Sequence, residues 1–343
     1  MNLENLFRHI SIDEYSVTPK YAQICNSIVK AIERKLIGKD YLLPSINQLS
    51  YELDVSRATA EKAYKHLKKS GVIASVAGKG YFVSAINKIH PLKIFLLFNK
   101  LSTHKKIIYD SFVASISNDA IIDFYIYNND YALFKKLMGN RSDEYSNYVI
   151  IPHFLKGGEN AAEIINTIPK KKLLLFDKFL AGVSGKFAAV YQDFEKDIYA
   201  ALVRMIDKLS KYNVIKIVFP DYTYHPKQIL EGFHLFCIEY GFNHEVVKDI
   251  SKAEISVGDV YIILMEDDLV TLLDKVVETK LVVGNQVGII AYNETPIKKI
   301  IQNGITTIST DFHMMGEIAA QLVMSNSKEQ IAVPFRVTFR ESL

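Results

Sequence analysis

The chain has 343 residues, a length that fits two or three domains. Of these residues 49% are apolar and 23% charged, a balance typical of a globular protein and not of a disordered one. Its net charge of +3 is uneven, because residues 1–86 carry 12 Lys and Arg against 8 Asp and Glu, whereas the remainder has a balance of −1. The positive charge therefore lies in the first quarter of the chain.

Cysteine usage and hydropathy exclude several classes of protein. Cys25 and Cys237 lie far apart in apolar helical patterns, which disfavours a disulfide scaffold, and no Cys/His spacing typical of zinc occurs. The N-terminus lacks the basic start and apolar core of a signal peptide, and no apolar run reaches the roughly 20 residues of a spanning helix. We expect a cytoplasmic protein with no membrane partner, metal or cofactor.

The first quarter of the chain predicts three helices and a hairpin. Residues 18–37 have helical apolar spacing, with Thr18 as the expected N-cap and Gly38 at the end. Ser45 is expected to cap a short second helix, and Ser56 a third that runs to about Lys69. The β runs "VIAS" and "GYFVS" follow, and the whole pattern predicts a winged helix-turn-helix.

The N-terminal turn of the third helix carries side chains suited to DNA. The planar guanidinium of Arg57 can bind guanine at two points. The glycines on either side of Lys79 let the protein backbone at the hairpin tip come close to DNA, where Lys79 offers a cation to the phosphates. The alternative is that Lys62, Lys65, Lys68 and Lys69 only form a solvated helix face. The expected DNA-binding residues are Ser45, Ser56, Arg57, Thr59, Lys62, Gly78, Lys79 and Gly80.

These motifs resemble the GntR family of bacterial transcription regulators. The matching stretches are "LPS" at residues 43–45, "VSRAT" at 55–59, "L-x-x-x-G" at 67–71 and "GKGYFV" at 78–83. The resemblance implies a DNA-binding domain over residues 1–84 that recognises a double-stranded operator. Family members usually have an arginine where this chain has Asn47, and many have a basic residue in place of Glu61, so we expect an operator that differs from the common one.

Beyond a linker expected at residues 85–92, apolar β runs alternate with amphipathic helices. This pattern predicts α/β lobes, each a doubly wound parallel sheet covered on both faces, with a ligand site at the cleft between two lobes. Strands are expected at residues 93–98, 121–127, 147–151, 172–176, 187–191, 214–219, 259–264, 287–292 and 305–310, and helices at 105–118, 131–139, 194–210, 226–240 and 312–325.

This part resembles the effector-binding domain of the lactose/galactose-repressor family, itself similar to type I periplasmic sugar-binding proteins. The matching segments include "LLLFDK" at residues 173–178, "HPKQILEGF" at 225–233, "VGIIAYNETP" at 287–296 and a threonine-rich strand with its helix at 305–323. The resemblance implies an effector-binding and dimerisation domain over residues 93–343.

Polar side chains just beyond the strands are expected to bind the effector, since sugar hydroxyls pair with planar polar groups and apolar sugar faces stack on aromatic rings. Each can instead be a turn or cap residue, and Asp193 is well placed to cap the helix after it. Tyr224 is an alternative to Tyr222. The expected ligand-binding residues are Asn99, Asp177, Lys178, Asp193, Asp221, Tyr222, Lys227 and Asn293.

Together these patterns predict a homodimeric, sequence-specific DNA-binding transcription regulator. Its effector is expected to be a monosaccharide or sugar phosphate that controls operator affinity. The alternatives are a non-sugar effector, an effector domain that senses nothing, and a sugar-binding transport protein. No G-x-G-x-x-G, Walker loop, G-x-S-x-G or H-E-x-x-H motif occurs, so an enzyme is not expected.

Overall fold

The computed structural model describes residues 6–84, 92–117, 120–141, 144–223 and 225–343. Except for Leu92, the predicted linker lies outside these ranges, so the boundary expected there stays a prediction. The chain forms two compact units: the first comprises Met1–Val190 and Gly316–Gln330, and the second Tyr191–Met315 and Ile331–Leu343. Within the described ranges, no helix combines the length and apolar composition needed to cross a bilayer.

The first unit begins with the predicted winged helix-turn-helix. Its elements are α1 (Lys20–Glu33), α2 (Ile46–Glu52), α3 (Arg57–Lys69) and the antiparallel strands β1 (Ile73–Val76) and β2 (Gly80–Val83). Ser45 caps α2 in a capping box with Gln48, and Ser56 caps α3 by accepting the Thr59 N–H at 3.1 Å. Both predicted caps are confirmed.

The predicted ends of α1 were wrong. Pro19 occupies the N-cap position and makes no side-chain capping bond, while the Thr18 hydroxyl accepts the backbone N–H of Phe124 at 2.7 Å. The helix ends at Glu33, four residues early, because Lys35 takes a left-handed conformation with φ 57°. The Thr18 hydroxyl therefore binds a strand that is distant in sequence instead of capping α1, and sequence periodicity cannot show such a contact.

The remainder of the first unit is built on a six-stranded sheet. The strands are β3 (Lys93–Phe98), β4 (Ile121–Ile126), β5 (Asn147–Ile150), β6 (Leu173–Asp177), β7 (Ala188–Tyr191) and β13 (Gln330–Ala332). The helices are α4 (Thr103–Ser115), α5 (Tyr131–Gly139), α6 (Ala161–Asn166) and α11 (Phe312–Met324), of which α11 belongs to this unit from Gly316 onward. The strand order is β13-β7-β6-β5-β3-β4. Strand β3 is flanked in parallel by β4 and β5, and all six of its side chains are buried, as a strand covered on both faces requires.

The winged helix packs against the edge of this sheet. Residues 16–18 run antiparallel to β4, and the Val17 N–H donates to the Phe124 carbonyl at 2.8 Å. The buried carboxylate of Asp123 accepts hydrogen bonds from Asn26 at 3.0 Å, Lys30 at 3.2 Å and the Tyr145 hydroxyl at 2.6 Å. Donors from α1 and from the sheet domain thus share one carboxylate.

The second unit has its own six-stranded sheet. The strands are β8 (Val214–Val218), β9 (His244–Val247), β10 (Asp259–Ile263), β11 (Gly288–Tyr292), β12 (Thr306–Thr310) and β14 (Phe335–Thr338), and the helices are α7 (Phe194–Val203), α8 (Ile206–Leu209), α9 (Gln228–Tyr240) and α10 (Glu266–Thr279). The strand order is β14-β12-β11-β10-β8-β9, with only β14 antiparallel among the pairings described. Helix α9 packs so closely on α7 that a Cβ on Gly232 would lie 2.1 Å from the Glu195 carbonyl oxygen.

The predicted fold class, an α/β protein with an N-terminal winged helix-turn-helix and two parallel sheets, is confirmed. All nine strands expected beyond residue 92 are present with ends within one residue of those predicted. Strands β9, β13 and β14 were missed, and the single helix expected over residues 194–210 is two helices, α7 and α8.

Candidate nucleic-acid interface and effector site

The N-terminal turn of α3 presents the residues expected to read DNA. Ser56 and Arg57 are exposed, and the hydroxyl groups of Ser56 and Thr59 lie 2.8 Å apart. The opposite face of α3 is buried through Ala60, Ala63, Tyr64 and Leu67. This burial fixes which way the helix faces and leaves the Arg57 guanidinium in solvent.

The lysines of α3 have different local partners. The amino group of Lys62 lies 4.2 Å from the centroid of the Tyr21 ring, a cation–π contact that orients the side chain. Lys68 donates to the Ser75 hydroxyl at 2.8 Å and so links α3 to the hairpin. Lys65 and Lys69 are exposed, as a solvated helix face also requires.

The hairpin tip is a turn that needs glycine. Gly78 and Gly80 have φ of 78° and 94°, a left-handed region that other residues adopt only with strain, and the Lys79 N–H closes the turn on the Val76 carbonyl at 3.0 Å. Lys79 is exposed between the two glycines. The tip therefore offers a cation on an ordered turn.

The hairpin and α3 are held together as one piece. The rings of Tyr64 on α3 and Tyr81 on β2 lie 4.6 Å apart, and the Tyr64 hydroxyl donates to the Pro44 carbonyl at 2.7 Å. Ser45 is exposed, and its capping role uses the oxygen as an acceptor, which leaves its hydroxyl hydrogen to donate. All eight residues predicted for DNA binding thus belong to one small rigid domain.

In the first unit, three of the predicted ligand residues lie where parallel strands end. Asn99 follows β3, Asp177 ends β6 with φ 73°, and Lys178 comes directly after it. Asp177 is buried and forms an ion pair of 2.6 Å with the buried Lys105 of α4. The side-chain carbonyl oxygen of Asn99, which is 2% exposed, makes no hydrogen bond within the described residues.

Sequence reasoning missed Lys105 and His153 at this edge. Burial, followed by the charge of Lys178, lowers the pKa of His153 to about 3, so its ring is neutral. Burial also lowers the pKa of Lys178, which the carboxylate of Asp177 partly opposes and the charge of Lys105 reinforces. A lysine in the first turn of an amphipathic helix is ordinarily exposed, so nothing in the sequence distinguished Lys105.

In the second unit, the ligand residues predicted after β8, Asp221 and Tyr222, lie at the surface. Asp221 is exposed and pairs with Lys248 at 2.8 Å, which lowers the pKa of its carboxyl group. The exposed Tyr222 donates from its hydroxyl to the buried carboxylate of Asp268 at 3.3 Å. Lys227 is exposed at the start of α9, and Tyr224 lies outside the described residues.

Asn293, after β11, has a strained backbone with φ 63°, and its side-chain oxygen is buried without a hydrogen-bond partner in the described chain. The fully buried Lys298 holds this turn by donating to the carbonyls of Tyr292 at 3.1 Å and Asn293 at 2.8 Å. A buried acceptor on an ordered turn is what a ligand hydroxyl or amine requires.

Asp193 precedes α7 but does not cap it with its side chain, which instead accepts from Lys196 at 2.8 Å. Asp197, one turn into the helix, was not predicted. It is 9% exposed, and burial together with the charge of Asp193 raises its pKa to about 7. No described contact joins Asp193 to Asn293, so each stays a separate candidate.

Comparison with known proteins supports the two-part organisation. Residues 20–83 match the family model for bacterial regulatory proteins of the gntR family, which is not a family of enzymes. The chain is 36% identical over 80 residues to the uncharacterized HTH-type transcriptional regulator YhdI, and 32% identical over 75 residues to the HTH-type transcriptional repressor YtrA, both of Bacillus subtilis (strain 168). These matches cover 23% and 22% of this chain and only 17% and 58% of the relatives.

The α/β part is similar to a solved repressor structure. The crystal structure of the lac repressor dimer bound to operator and the anti-inducer ONPF has a TM-score of 0.61 and 14% identity, covering 74% of this chain and 94% of that one. At this identity the similarity shows that the fold is shared. The fold that the sequence resemblance implied for the larger part is therefore confirmed.

Proposed function

We propose that this chain, whose residues 20–83 form a DNA-binding domain of the gntR family, is a transcription regulator that binds operator DNA as a homodimer and responds to a small molecule. The observation that carries the proposal is the arrangement of α3 and the hairpin. An exposed arginine at the helix N-terminus and an exposed lysine at the glycine turn belong to one rigid domain. The helix N-terminus is the part that contacts base edges when such a helix enters the major groove.

The larger part of the chain supplies the effector response in this proposal. Polar side chains stand at the carboxyl ends of parallel strands in each unit, the usual position of ligand sites in such sheets. The lac repressor, whose fold is similar, was crystallised with operator and an anti-inducer. We propose a monosaccharide or sugar phosphate as the effector, with its affinity and that of the operator coupled by about 1–3 kcal/mol.

The DNA-binding half of the proposal is tested by Arg57→Ala against Arg204→Ala. A preferred duplex is first selected from random-sequence DNA with the full chain, and affinities are then measured by fluorescence anisotropy. Arg57→Ala should weaken binding to this duplex by about 1–3 kcal/mol and relax the preference at one base pair, since a bidentate contact is lost.

Arg204 is an exposed arginine of the second unit. The control variant Arg204→Ala should therefore bind DNA as the unaltered protein does. Equal affinities for all three proteins would contradict the assignment of α3 as the recognition helix.

A further inference from the structure

One side of α1 is polar and lies against the sheet of the first unit. Asn26, Lys30, Glu33 and Arg34 share this side, because residues three or four positions apart face the same way on a helix. We call these four residues the docking face. The opposite side of α1 packs into the winged-helix core through Ile24, Cys25, Ile28, Val29, Ala31 and Ile32.

Two residues of the docking face converge on one buried carboxylate of β4. Asp123 is 8% exposed and accepts hydrogen bonds from the Asn26 amide at 3.0 Å and the Lys30 ammonium at 3.2 Å. The Tyr145 hydroxyl holds the same carboxylate from within the sheet domain at 2.6 Å. A buried carboxylate that loses its donors is costly, so Asp123 favours one position of α1 over others.

The other two residues of the docking face form ion pairs near the end of α1. The Glu33 carboxylate binds the ammonium of Lys93, a buried residue at the start of β3, at 2.5 Å. The Arg34 guanidinium donates to the Glu144 carboxylate at 2.7 Å and 3.2 Å. Each charge of the docking face thus meets an opposite charge, an arrangement that fixes orientation more than it adds stability.

Apolar contact across this surface is limited. Of the described buried residues that form the winged-helix core, Ile121 of β4 is the one that the sheet contributes. Two cavities of about 100 and 160 Å³ lie along the surface and share Asp13, Tyr125 and Tyr145 in their walls. Packing at the density of a protein interior leaves few such spaces. The surface therefore resembles a separable interface between domains and not a continuous core.

We propose that the docking face is a reversible latch, through which the folded winged helix docks on the sheet of its own chain, with Asp123 as the residue that positions it. The docked state fixes the direction of α3 and the hairpin, whereas release lets the winged helix turn as a separate domain. The docking goes beyond the proposed function, and only its consequence for operator spacing rests on that function.

The first test measures how the winged helix tumbles in the full chain without DNA. A dye is attached through Glu52→Cys, at an exposed position of α2, since Cys25 and Cys237 are both buried. A docked winged helix turns with the whole molecule and gives one slow phase in the time-resolved decay of fluorescence anisotropy. A released winged helix adds a faster phase.

Asn26→Asp is the variant expected to open the latch. It places a carboxylate where an amide donor faced Asp123, and measurement at about pH 8 disfavours a proton shared between the two groups. The repulsion should shift the docking equilibrium about 100-fold or more towards release. The matched control is Asn47→Asp, the same substitution at an exposed position of α2.

The unaltered protein and Asn47→Asp should show the slow phase alone, whereas Asn26→Asp should add the faster phase with unchanged helix content by circular dichroism. Combining Asn26→Asp with Asp123→Asn exchanges the amide and the carboxylate and should restore the slow phase, which a misfolded domain would not do. The latch is overturned by a faster phase in the unaltered protein, by none in Asn26→Asp, or by loss of helix content on release. Failure of the double variant to restore docking would overturn the positioning role of Asp123.

The second test determines whether docking sets the spacing of the DNA contacts. The duplex selected with the full chain is compared with one that has a base pair inserted between the half-sites. The unaltered protein should lose at least about tenfold in affinity on insertion, and Asn26→Asp less than about threefold, because released domains adapt to either spacing. Equal losses for both proteins would mean that docking does not set orientation, which overturns the proposal. If neither duplex is bound, the proposed function is wrong, and the anisotropy decay, which needs no DNA, decides the latch by itself.

Discussion

Asp197 shows how a single buried carboxyl group makes stability depend on pH. It lies on α7 near the Asp193 carboxylate, and one of its oxygens is buried without a hydrogen-bond partner in the described chain. Its pKa rises from the ordinary 3.8 to about 7 in the folded protein. The folded state therefore holds a proton that the unfolded state has released over this range.

Because the folded-state pKa is the higher one, the free energy of unfolding falls as pH rises from about 4 to about 7. Asp197→Asn removes this loss, since an amide has no proton to release. We expect the variant to have a flatter pH profile of Tm between these values. Above pH 7 its free energy of unfolding should exceed that of the unaltered protein by up to a few kcal/mol. Differential scanning calorimetry across this pH range measures the profile.

Asp207→Asn is the control, because Asp207 is exposed in the same unit and should leave the pH profile unchanged. A profile for Asp197→Asn that parallels that of the unaltered protein would show that Asp197 is ionised in the folded state throughout.

At the scale of elements, residues 16–18 serve as a short strand for the edge of β4. An edge strand exposes unpaired backbone groups, and here the Thr18 hydroxyl satisfies the Phe124 N–H and lies 3.4 Å from the Ile122 carbonyl. Phe124 is 3% exposed, so its N–H has little access to water. The segment that leads into α1 thereby joins the winged helix to the sheet.

Thr18→Val keeps the shape of the side chain and removes the hydroxyl group. The Phe124 N–H then lacks its acceptor, which costs about 1–3 kcal/mol locally. We expect amide hydrogen exchange at Phe124 to accelerate about tenfold or more while the amides of β5 and β6 are unaffected. The comparison is made by mass spectrometry or NMR of the full chain.

Thr271→Val provides the matched control, since the Thr271 hydroxyl donates only to a carbonyl on its own helix, α10, among the contacts described. Unchanged protection of Phe124 in Thr18→Val would mean that residues 16–18 do not close the sheet edge in solution.

At the scale of the whole molecule, the proposed function gives each chain one recognition helix, α3, for DNA. A single winged helix contacts only a short run of base pairs. We therefore expect high affinity to require two winged-helix domains on a near-palindromic operator with half-sites about one helical turn apart. In a homodimer the second contact becomes intramolecular and raises affinity by a factor of about 100 or more.

The dimer is tested with the selected duplex and a version in which one half-site is scrambled. Scrambling should weaken binding about 100-fold or more, and sedimentation should show two chains on the intact duplex. One chain per duplex, with equal affinity for both sequences, would contradict the homodimer.

Much of the fold followed from local patterns in the sequence. The buried strands are continuous Ile, Val and Leu runs, and α2 and α3 begin at serines whose side chains cap them, so short-range chemistry was sufficient. Strands β9, β13 and β14 were missed because they are three or four residues long with few buried side chains, and they form by pairing with sheets already present.

The winged helix was predicted from the sequence because all of its elements lie within one stretch of the chain. The residues proposed to bind DNA lie in the same stretch and stay a prediction. The ion pair of Lys105 with Asp177, the burial of Asp197 and the contact of Thr18 with Phe124 were decided only by tertiary structure. Lys105 and Asp177 are 72 positions apart, and Thr18 and Phe124 are separated by 106. Burial and charge at such sites come from neighbours that the fold brings together, and no local pattern records which side chains will share them.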